Sequence, residues 1–411
     1  MSLNKCQTDY LFLLMGENPL PNAVAALTLL RTGGTPILIH TERTTAQARY
    51  LKQVLQDFSS LRPALCKNLG SGQADALAIQ QTIGAIAQSL SGSIGLNYTG
   101  GTKVMSVHAY RAVEAVQPQA VFSYLDSNTL KMTIERAGQP SLQDKVLPDL
   151  SLDQLFRLHG LSWQTDRPPL NKPVLPDAAA AIAAYFHRYP DLVQIWRNWC
   201  NRELRSVAKN EFFRWRSEHE LAELDPIALA GLPDVMVDKV MEPYLGANRG
   251  FLSLTTAQKQ GFRDLTQVCE WLDGTWLEHY VLDQVQRVAP RSRVHDSRVS
   301  FNIRDPNKPH QPWAKFEFDV AFMHHYQLFA LSCTTTEKRS LCKQKLIEAS
   351  VRARQLGGAE ARVGLVCFHT NPASLKSELE VETRNKKIAV FGRSDLRSLG
   401  DRILEWVNQN G

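Results

Sequence analysis

One short stretch near position 100 combines the residue types that phosphate-binding loops use. The sequence LNYTGGTKVM contains two adjacent glycines, two threonines and a lysine. Gly100 and Gly101 allow the backbone to approach a ligand without a Cβ in the way. Thr99 and Thr102 supply hydroxyl groups and Lys103 supplies a cation, while a helix that starts here would add free N–H groups. We therefore expect an anion-binding loop.

The spacing of this loop excludes the two commonest nucleotide motifs. Gly95 and Gly100 are separated by four residues, but Lys103 does not directly follow the second glycine, so the loop is not a Walker A motif. It is not a GxGxxG loop either, which disfavours an enzyme that uses ATP or NAD in this part of the chain. A tight turn from strand to helix without a ligand stays the structural alternative.

The elements around the loop predict a parallel sheet. Over residues 1–150, short apolar strands alternate with amphipathic helices, the pattern of βαβ units. In such sheets, ligands bind where loops leave the carboxyl ends of the strands. The segments Gly16–Asn22, Thr41–Thr44 and Asn97–Lys103 are the loops expected at that edge.

The motifs ENPLPN, HTERT and NYTGGTKVM, followed by LSLDQLFRLHG, resemble the CRISPR-associated Rossmann fold (CARF) domain of type III CRISPR ancillary proteins. The resemblance implies a homodimer that holds one cyclic oligoadenylate across its two-fold axis. It also implies the contacts. The phosphates and sugars of the ring would face Asn97, Thr99, Gly100, Gly101, Thr102 and Lys103, and the adenines would be flanked by Asn18, Pro19, Asn22, Thr41 and Thr44.

The middle of the chain has a different composition from the N-terminal part. After a proline-rich stretch, residues 192–224 predict a helical region in which arginines and lysines alternate with tryptophans and phenylalanines. Basic and aromatic residues interleaved in this way can bind single-stranded nucleic acid. An amphipathic helix with its aromatic residues in the core is the alternative that the pattern favours more often.

The C-terminal part resembles the restriction-endonuclease-like PD-(D/E)xK domain of CARF effector nucleases, through GTWLEHYV and FEFDVAFMHHYQLFALSCTTT. The resemblance implies that Glu278 on a helix and Asp319 on a strand bind Mg²⁺ or Mn²⁺. Glu317 would lie on the same strand face as Asp319, because strand side chains alternate. The bound metal would activate a water molecule for attack on a phosphodiester.

The chain departs from that family at the third element, E-x-K. Ser332 and Thr334 occupy the positions of the glutamate and the lysine. A serine is a weak neutral ligand and a threonine carries no positive charge at neutral pH. The departure leaves two hypotheses open, a relocated catalytic group or a catalytically inactive domain.

A relocated group is available on the next predicted helix. Lys345, Glu348 and Arg352 are spaced at i, i+3 and i+7, so one helix face could direct a carboxylate and cations to the metal. We therefore expect Glu278, Asp319, Glu348 and Lys345 to be catalytic, and the first three to hold the metal. An ordinary surface charge cluster is the alternative for Lys345, Glu348 and Arg352.

The composition of the chain limits the class of protein to which it can belong. The chain has 411 residues, a formal net charge of +6, and no apolar run long enough to span a membrane. Its seven cysteines are scattered and form no CxxC pair, which argues against a disulfide framework or a structural zinc site and favours a cytoplasmic protein. The mild basic charge permits nucleic-acid binding without requiring it.

Together these observations predict an α/β protein with an N-terminal Rossmann-like parallel-sheet domain (1–160), a helical linker that could be winged-helix-like (161–265), and a C-terminal restriction-endonuclease-like α/β domain (266–411). The expected function is a metal-dependent nuclease activated by cyclic oligoadenylate and acting on DNA or RNA. The alternative is a catalytically degenerate sensor of the same ligand that binds nucleic acid or a protein.

Overall fold

The computed structural model describes residues 3–72, 74–164, 167–306 and 315–411. In that part of the chain, no helix is long and apolar enough to cross a membrane.

The N-terminal region alternates strands and helices as the sequence predicts. Its elements are β1 (Thr8–Leu14), α1 (Leu20–Leu29), β2 (Leu30–His40), α2 (Thr45–Leu55), β3 (Leu65–Asn68), α3 (Ala76–Gln88), β4 (Ile94–Asn97), α4 (Lys103–Val116), β5 (Val121–Asp126), β6 (Lys131–Glu135), β7 (Leu142–Lys145) and α5 (Leu152–Leu158). Among the described residues, these strands form one sheet in the order β3-β2-β1-β4-β5-β6-β7.

The first five strands of this order are parallel, and β6 and β7 are antiparallel additions. Helices cover both faces, which is why β4 is buried along its whole length. Helix α4 follows β4 and turns one face into the core, through Met105, Ala109, Ala112 and Val113. The Rossmann-like parallel sheet of the prediction is confirmed.

The middle region is mainly helical. Its elements are β8 (Ser162–Trp163), α6 (Pro176–Arg188), α7 (Asp191–Trp199), α8 (Arg205–Ala208), α9 (Glu218–Ala222), β9 (Ile227–Ala228), α10 (Asp234–Met236), α11 (Glu242–Leu245), β10 (Phe251–Leu252) and α12 (Leu254–Gln258). A π-helical segment joins α7 to α8. The helical region expected over 192–224 is thus interrupted, because α8 ends at Ala208 and the chain makes a tight turn before α9.

The C-terminal region contains α13 (Leu265–Glu270), α14 (Trp276–Ser292), β11 (Val294–Arg304), β12 (Lys315–His324), β13 (Gln327–Cys333), α15 (Arg339–Gly357), β14 (Arg362–Val366), α16 (Pro372–Thr383), β15 (Ala389–Phe391) and α17 (Leu399–Asn410). Within the described ranges, the sheet runs in the order β15-β14-β13-β12-β11-β8. Strands β11, β12 and β13 are antiparallel, and β13, β14 and β15 are parallel. This mixed sheet with flanking helices confirms the predicted α/β domain.

The hydrophobic cores extend across the predicted domain limits. One core joins the middle helices to α14 and α17, so the boundary predicted at residue 265 does not separate two cores. A second core joins one face of the N-terminal sheet to α5, to α15 and to one face of the C-terminal sheet. The regions therefore pack as parts of one structure rather than as units on a flexible tether.

A close contact connects the N-terminal sheet to the end of α15. Gly358 has φ +60°, and a Cβ at this position would lie 2.6 Å from Asn18 Nδ2 and 2.7 Å from Glu360 Oε2. The positive φ favours glycine, and a side chain here would also have to displace the ends of the Asn18 and Glu360 side chains. Burial raises the pKa of the neighbouring Glu360 to about 7. The loop after β1 thus touches the turn that ends α15.

Candidate functional site: a carboxylate cluster and a glycine-loop cavity

The pairing of β12 with β13 sets the position of Asp319. Val320 is paired with Leu331, which places the buried Asp319 next to Ser332. Ser332 Oγ donates a hydrogen bond to Asp319 Oδ2 over 3.0 Å, and the Cys333 backbone N–H donates to the same oxygen over 2.6 Å. The strand aspartate is therefore held in one orientation by the two residues after Leu331.

Glu278 reaches the same place from helix α14. Its Oε2 accepts a hydrogen bond from Ser300 Oγ on β11 over 2.7 Å. Burial raises the pKa of Glu278 well above its ordinary value, and the negative charges of Asp319 and Glu317 raise it further. The structure thus brings together the helix glutamate and the strand aspartate that the sequence identified.

Glu317 is a third carboxylate in this cluster. It lies two residues before Asp319 on β12, so both side chains leave the same strand face. Burial raises the pKa of Glu317, and the neighbouring Asp319 contributes in the same direction. Glu317 and Asp319 line a cavity of about 380 Å³ together with Ser332. The sequence placed Glu317 on this face but assigned it no role.

Lys345 brings a positive charge to the cluster from α15. Its Nζ lies 3.8 Å from Asp319 Oδ2. The carboxylates raise the pKa of Lys345, with Asp319 contributing most, followed by Glu278 and Glu317. The ammonium group is therefore fixed in its charged form next to the carboxylates, although the strand position of the family lysine is occupied by Thr334.

Two other residues of the α15 face, Glu348 and Arg352, line the same cavity. Glu348 is exposed, and its Oε1 accepts a hydrogen bond from Gln344 Nε2 over 2.9 Å. Arg352 donates to Gln355 Oε1 over 3.4 Å. Within the described ranges, no three His, Cys, Asp or Glu side chains are gathered as a metal-binding group. The expected third ligand, Glu348, stays a prediction.

The glycine loop lies between β4 and α4, against the end of β1. A Cβ at Gly100 would lie 2.2 Å from the Leu14 carbonyl oxygen, so only glycine permits this contact. Gly101 has φ +77°, a conformation that favours glycine. Thr102 caps α4, since its hydroxyl accepts a hydrogen bond from the Met105 N–H over 3.1 Å. Lys103 is the first helical residue and is exposed.

Asn97 and Thr99 hold the loop in place. Asn97 is buried, its Nδ2 donates to Ser123 Oγ over 3.0 Å, and its Oδ1 accepts from the Thr99 N–H over 3.3 Å. Thr99 Oγ1 accepts from the Leu125 N–H over 2.8 Å. These side chains position the glycine loop.

The residues predicted in the other two loops have comparable supporting contacts. Asn18 Oδ1 accepts a hydrogen bond from the Leu20 N–H over 3.0 Å, and Pro19 precedes α1. Asn22 is buried and its Nδ2 donates to the Leu14 carbonyl oxygen over 2.9 Å. Thr41 donates its N–H to Thr44 Oγ1 over 3.1 Å.

The three loops enclose a cavity of about 490 Å³ at the carboxyl ends of β1, β2 and β4. Of the predicted ligand-binding residues, Thr41, Thr44, Gly101 and Thr102 line it. Arg43 and Gln47 also line it and were missed, although Arg43 lies within the quoted motif HTERT. The hydroxyl groups, the Arg43 guanidinium group and the helix N-terminus suit an anionic ligand. Glu17 also lines the cavity, and its Oε1 lies 4.0 Å from Arg43 Nη2.

Residues 266–410 match the family described as Card1-like, endonuclease domain. The match confirms the endonuclease-like C-terminal domain recognised from the sequence, and the domain includes Glu278, Asp319 and Lys345. No curated protein sequence matches the chain.

Solved structures share the fold over most of the chain. Protein VC1899 from Vibrio cholerae aligns with a TM-score of 0.74 at 16% identity, covering 98% of each chain. Can2 from Sulfobacillus thermosulfidooxidans, in complex with cyclic tetra-adenylate, aligns with a TM-score of 0.67 at 16% identity, covering 97% of this chain and 99% of that one. A type III CRISPR defence DNA nuclease activated by cyclic oligoadenylate aligns with a TM-score of 0.52 at 16% identity, covering 87% of this chain and 45% of that one.

The raised pKa of Glu278 predicts a pH-dependent gain of stability in Glu278→Gln. Ionised Glu278 is disfavoured in the folded protein, so the carboxylate destabilises the fold increasingly as the pH rises above its ordinary value of 4.5. The glutamine removes this charge and can still accept the hydrogen bond from Ser300. Denaturant unfolding at pH 5 and pH 8, without divalent metal, should show an advantage of more than about 1 kcal/mol for the variant at pH 8 and a smaller one at pH 5.

Glu348→Gln is the matched control, because Glu348 lines the cavity but is exposed. It should change the unfolding free energy little at either pH. A difference between Glu278→Gln and the wild type that is the same at both pH values would contradict the electrostatic account of the cluster.

Proposed function

We propose that the protein is a metal-dependent nuclease of type III CRISPR antiviral defence, active in the cytoplasm as a homodimer and activated by a cyclic oligoadenylate. The observation that best supports the nuclease activity is the position of Lys345. Its ammonium group lies next to Asp319 although the strand has lost its lysine, so the cluster retains both carboxylates and a cation. The match to an endonuclease domain and the fold shared with Can2 support the same conclusion.

The donor atoms of the cluster fit a hard divalent cation. Carboxylate and hydroxyl oxygens are what Mg²⁺ and Mn²⁺ bind, and a cation near Asp319 would relieve the repulsion that raises the pKa of Glu278 and Glu317. Glu278 and Asp319 would hold the ion, and we propose Glu317 as the third carboxylate in place of Glu348, because its charge acts on Glu278 and it is itself affected by Asp319. When bound, the ion would supply an activated water molecule for hydrolysis.

We assign separate roles to Ser332, the Cys333 N–H and Lys345. Ser332 and the Cys333 N–H both donate to Asp319 Oδ2, which leaves Oδ1 for other contacts and fixes the side chain. Lys345 is held charged by its neighbours, so it can stabilise negative charge that develops on a phosphodiester. The cavity that contains these groups is open to solvent along α15, where a nucleic-acid backbone could enter.

The N-terminal cavity is the proposed site for the activator. Its glycine loop, the N-terminus of α4, Lys103 and Arg43 offer an anion-binding edge to ring phosphates. Can2, which shares the fold, is known in complex with cyclic tetra-adenylate. In a homodimer, two such cavities would bind one ring.

Helix α15 supplies a direct route between the two sites. Asn18, in the loop that borders the ligand cavity, touches Gly358 at the end of α15, and Lys345 lies on the same helix. A ligand that draws the loop after β1 toward the glycine loop would move this contact. Such coupling requires that the ring bind one arrangement of the loop more tightly than the other.

The relocated lysine predicts the effect of two substitutions. Lys345→Met should reduce activator-stimulated cleavage of a labelled oligonucleotide in Mn²⁺ roughly 100- to 1000-fold, because the transition state loses its nearby cation. Thr334 lies two residues after Ser332, on the same face, so adding Thr334→Lys to that variant should restore part of the activity.

Glu348→Gln again serves as the control and should retain most of the cleavage activity. Equal cleavage by Lys345→Met and the wild type would contradict the assignment of Lys345 as a catalytic residue. If the wild type binds the ring and cleaves neither DNA nor RNA, the alternative function, a non-catalytic sensor, is the correct one.

The contact between Asn18 and Gly358 predicts a variant that separates binding from activation. Asn18→Ala should bind cyclic oligoadenylate with an affinity within a few-fold of the wild type. The factor by which the bound ring increases the cleavage rate should fall at least about tenfold in this variant. Calorimetry with cyclic tetra- and hexa-adenylate and a cleavage assay at saturating ring measure the two effects.

Lys103→Ala is the comparison variant, and it should weaken ring binding while leaving cleavage at saturating ring near normal. Loss of ring affinity in Asn18→Ala, with normal stimulation once the site is saturated, would show instead that Asn18 contacts the ligand and does not couple the sites.

A further inference from the structure

A third cavity, which we call the junction cavity, lies where the N-terminal sheet meets the C-terminal domain. It has a volume of about 300 Å³ and shares no lining residue with the carboxylate cavity or the N-terminal cavity. Its walls come from the end of α15, the end of α16, the start of β14 and the turn after β5. Neither the carboxylate cluster nor the glycine loop therefore accounts for it.

The described residues that line the junction cavity include four cations and no acidic side chain. The cations are Arg354, Arg384, Lys386 and Lys387. Within the described parts of the chain, none of these four forms a salt bridge. On α16, Glu378 and Glu382 pair instead with cations in the first half of α15. The walls of the cavity thus concentrate positive charge that has no direct ion-pair partner among these residues.

Lys387 is the most enclosed of the four cations. Its Nζ donates a hydrogen bond to the Asn128 carbonyl oxygen over 2.8 Å, which links the turn after β5 to the segment before β15. Burial lowers the pKa of Lys387, and the positive charge of Arg362 lowers this pKa further. The carboxylates of Asp126 and Glu360 act in the opposite direction without cancelling the effect. An anion in the cavity would stabilise the charged form of this lysine.

A hydroxyl group also belongs to the lining. Ser350 precedes Arg354 by four residues on α15, so the two side chains share one face of the helix. Ser350 Oγ is buried and, among the described residues, has no hydrogen-bond partner. Because buried hydroxyl groups normally have a partner, this one is available to donate to an oxygen atom of a ligand.

The helix ends at this junction explain part of the positive charge. Arg354 lies in the last turn of α15, and Arg384 is the C-terminal cap of α16. Cations are favourable at such positions, because the carbonyl groups at a helix C-terminus carry partial negative charge. This accounts for the two arginines. It does not account for Lys386, Lys387 or the unpartnered hydroxyl of Ser350.

We propose that the junction cavity binds a small ligand through its phosphoryl groups, the chemistry that a nucleoside diphosphate and free pyrophosphate share. Phosphate oxygens can accept several N–H donors from arginine and lysine at once. The volume of about 300 Å³ is at the lower end of the range for small-molecule sites. Gly358, which contacts Asn18, also lines the cavity, so the ligand would lie at the contact between the two regions. This site goes beyond the proposed function.

Isothermal titration calorimetry of the full chain in EDTA tests the proposal, with ADP, pyrophosphate and adenosine as separate probes. At least one of the two phosphorylated probes should bind, and adenosine, which has no phosphoryl group, should not. The double variant Arg384→Ala/Lys386→Ala should weaken this binding at least about tenfold, because half of the cations are lost. Both side chains are exposed, so the variant should fold normally.

The two phosphorylated probes separate the possible sources of the ligand. Tighter binding of ADP would identify a nucleoside phosphate, because the nucleoside then contributes to the affinity. Equal or tighter binding of pyrophosphate would identify the phosphoryl groups as the only part that is recognised. Either result supports the site, provided that the affinity falls in the double variant.

Lys259→Ala/Arg397→Ala is the matched control, since it removes two exposed cations that do not line the junction cavity. It should leave the affinity unchanged, and so should Lys103→Ala in the N-terminal cavity. No binding of ADP or pyrophosphate at millimolar concentration would overturn the proposal. Equal losses in both double variants would also overturn it, because net charge alone would then explain the binding. A loss confined to Lys103→Ala would instead place the probe in the N-terminal cavity.

The nuclease proposal and the junction-cavity proposal can fail separately. The titration uses neither a divalent metal nor a cyclic oligoadenylate, so an inactive nuclease would leave its result unchanged. If ADP and pyrophosphate do not bind, and Arg384→Ala/Lys386→Ala weakens binding of a labelled oligonucleotide, the cavity belongs to a nucleic-acid surface and the junction-cavity proposal falls.

Discussion

Repulsion among closely placed carboxylates is the constraint on which the proposed catalytic site depends. Glu278 comes from a helix and Glu317 and Asp319 come from a strand, and their mutual repulsion raises the pKa of the two glutamates. A nearby cation lowers the electrostatic cost of such a cluster. Lys345 supplies part of that compensation. A bound divalent ion would supply the rest.

The same helix that carries Lys345 links this site to the N-terminal sheet. Its first half faces the carboxylates, and the turn after its last residue, at Gly358, touches Asn18 in the loop after β1. The hydrophobic core continues across this junction, so the two ends of α15 are held by packed structure on both sides. A displacement of the loop therefore has a rigid element to act on, which a flexible linker between separate domains would not provide.

The sequence predicted the parts of the structure that depend on local pattern. Alternating strands and helices gave the parallel sheet and its three loops, and the helix spacing of Lys345 placed it on the face that meets Asp319. Glu278 and Asp319 were recognisable from the short motifs around them. Glu348 shares the spacing and lines the same cavity, but its carboxylate accepts a hydrogen bond from Gln344 on its own helix, because helix periodicity defines a face and not the partner of each side chain.

What the sequence did not predict depends on tertiary structure. Ser332 could be recognised as a lost glutamate, but its hydrogen bond to Asp319 follows from the register of β12 and β13. The end of α8 at Ala208 has no glycine or proline to mark it, and Asn210 creates the turn through side-chain contacts to the backbone. Arg43 and Gln47 line the N-terminal cavity because three loops that are distant in sequence meet there.

The most direct test of the central claim is anomalous X-ray diffraction from crystals of the protein soaked in Mn²⁺. The account predicts an anomalous peak within bonding distance of carboxylate oxygens of Glu278 and Asp319, and no peak there in crystals of Glu278→Gln. Absence of a peak at the cluster in wild-type crystals, with the same soak labelling Mn²⁺ at another site, would contradict the claim that these carboxylates form the metal centre of a nuclease.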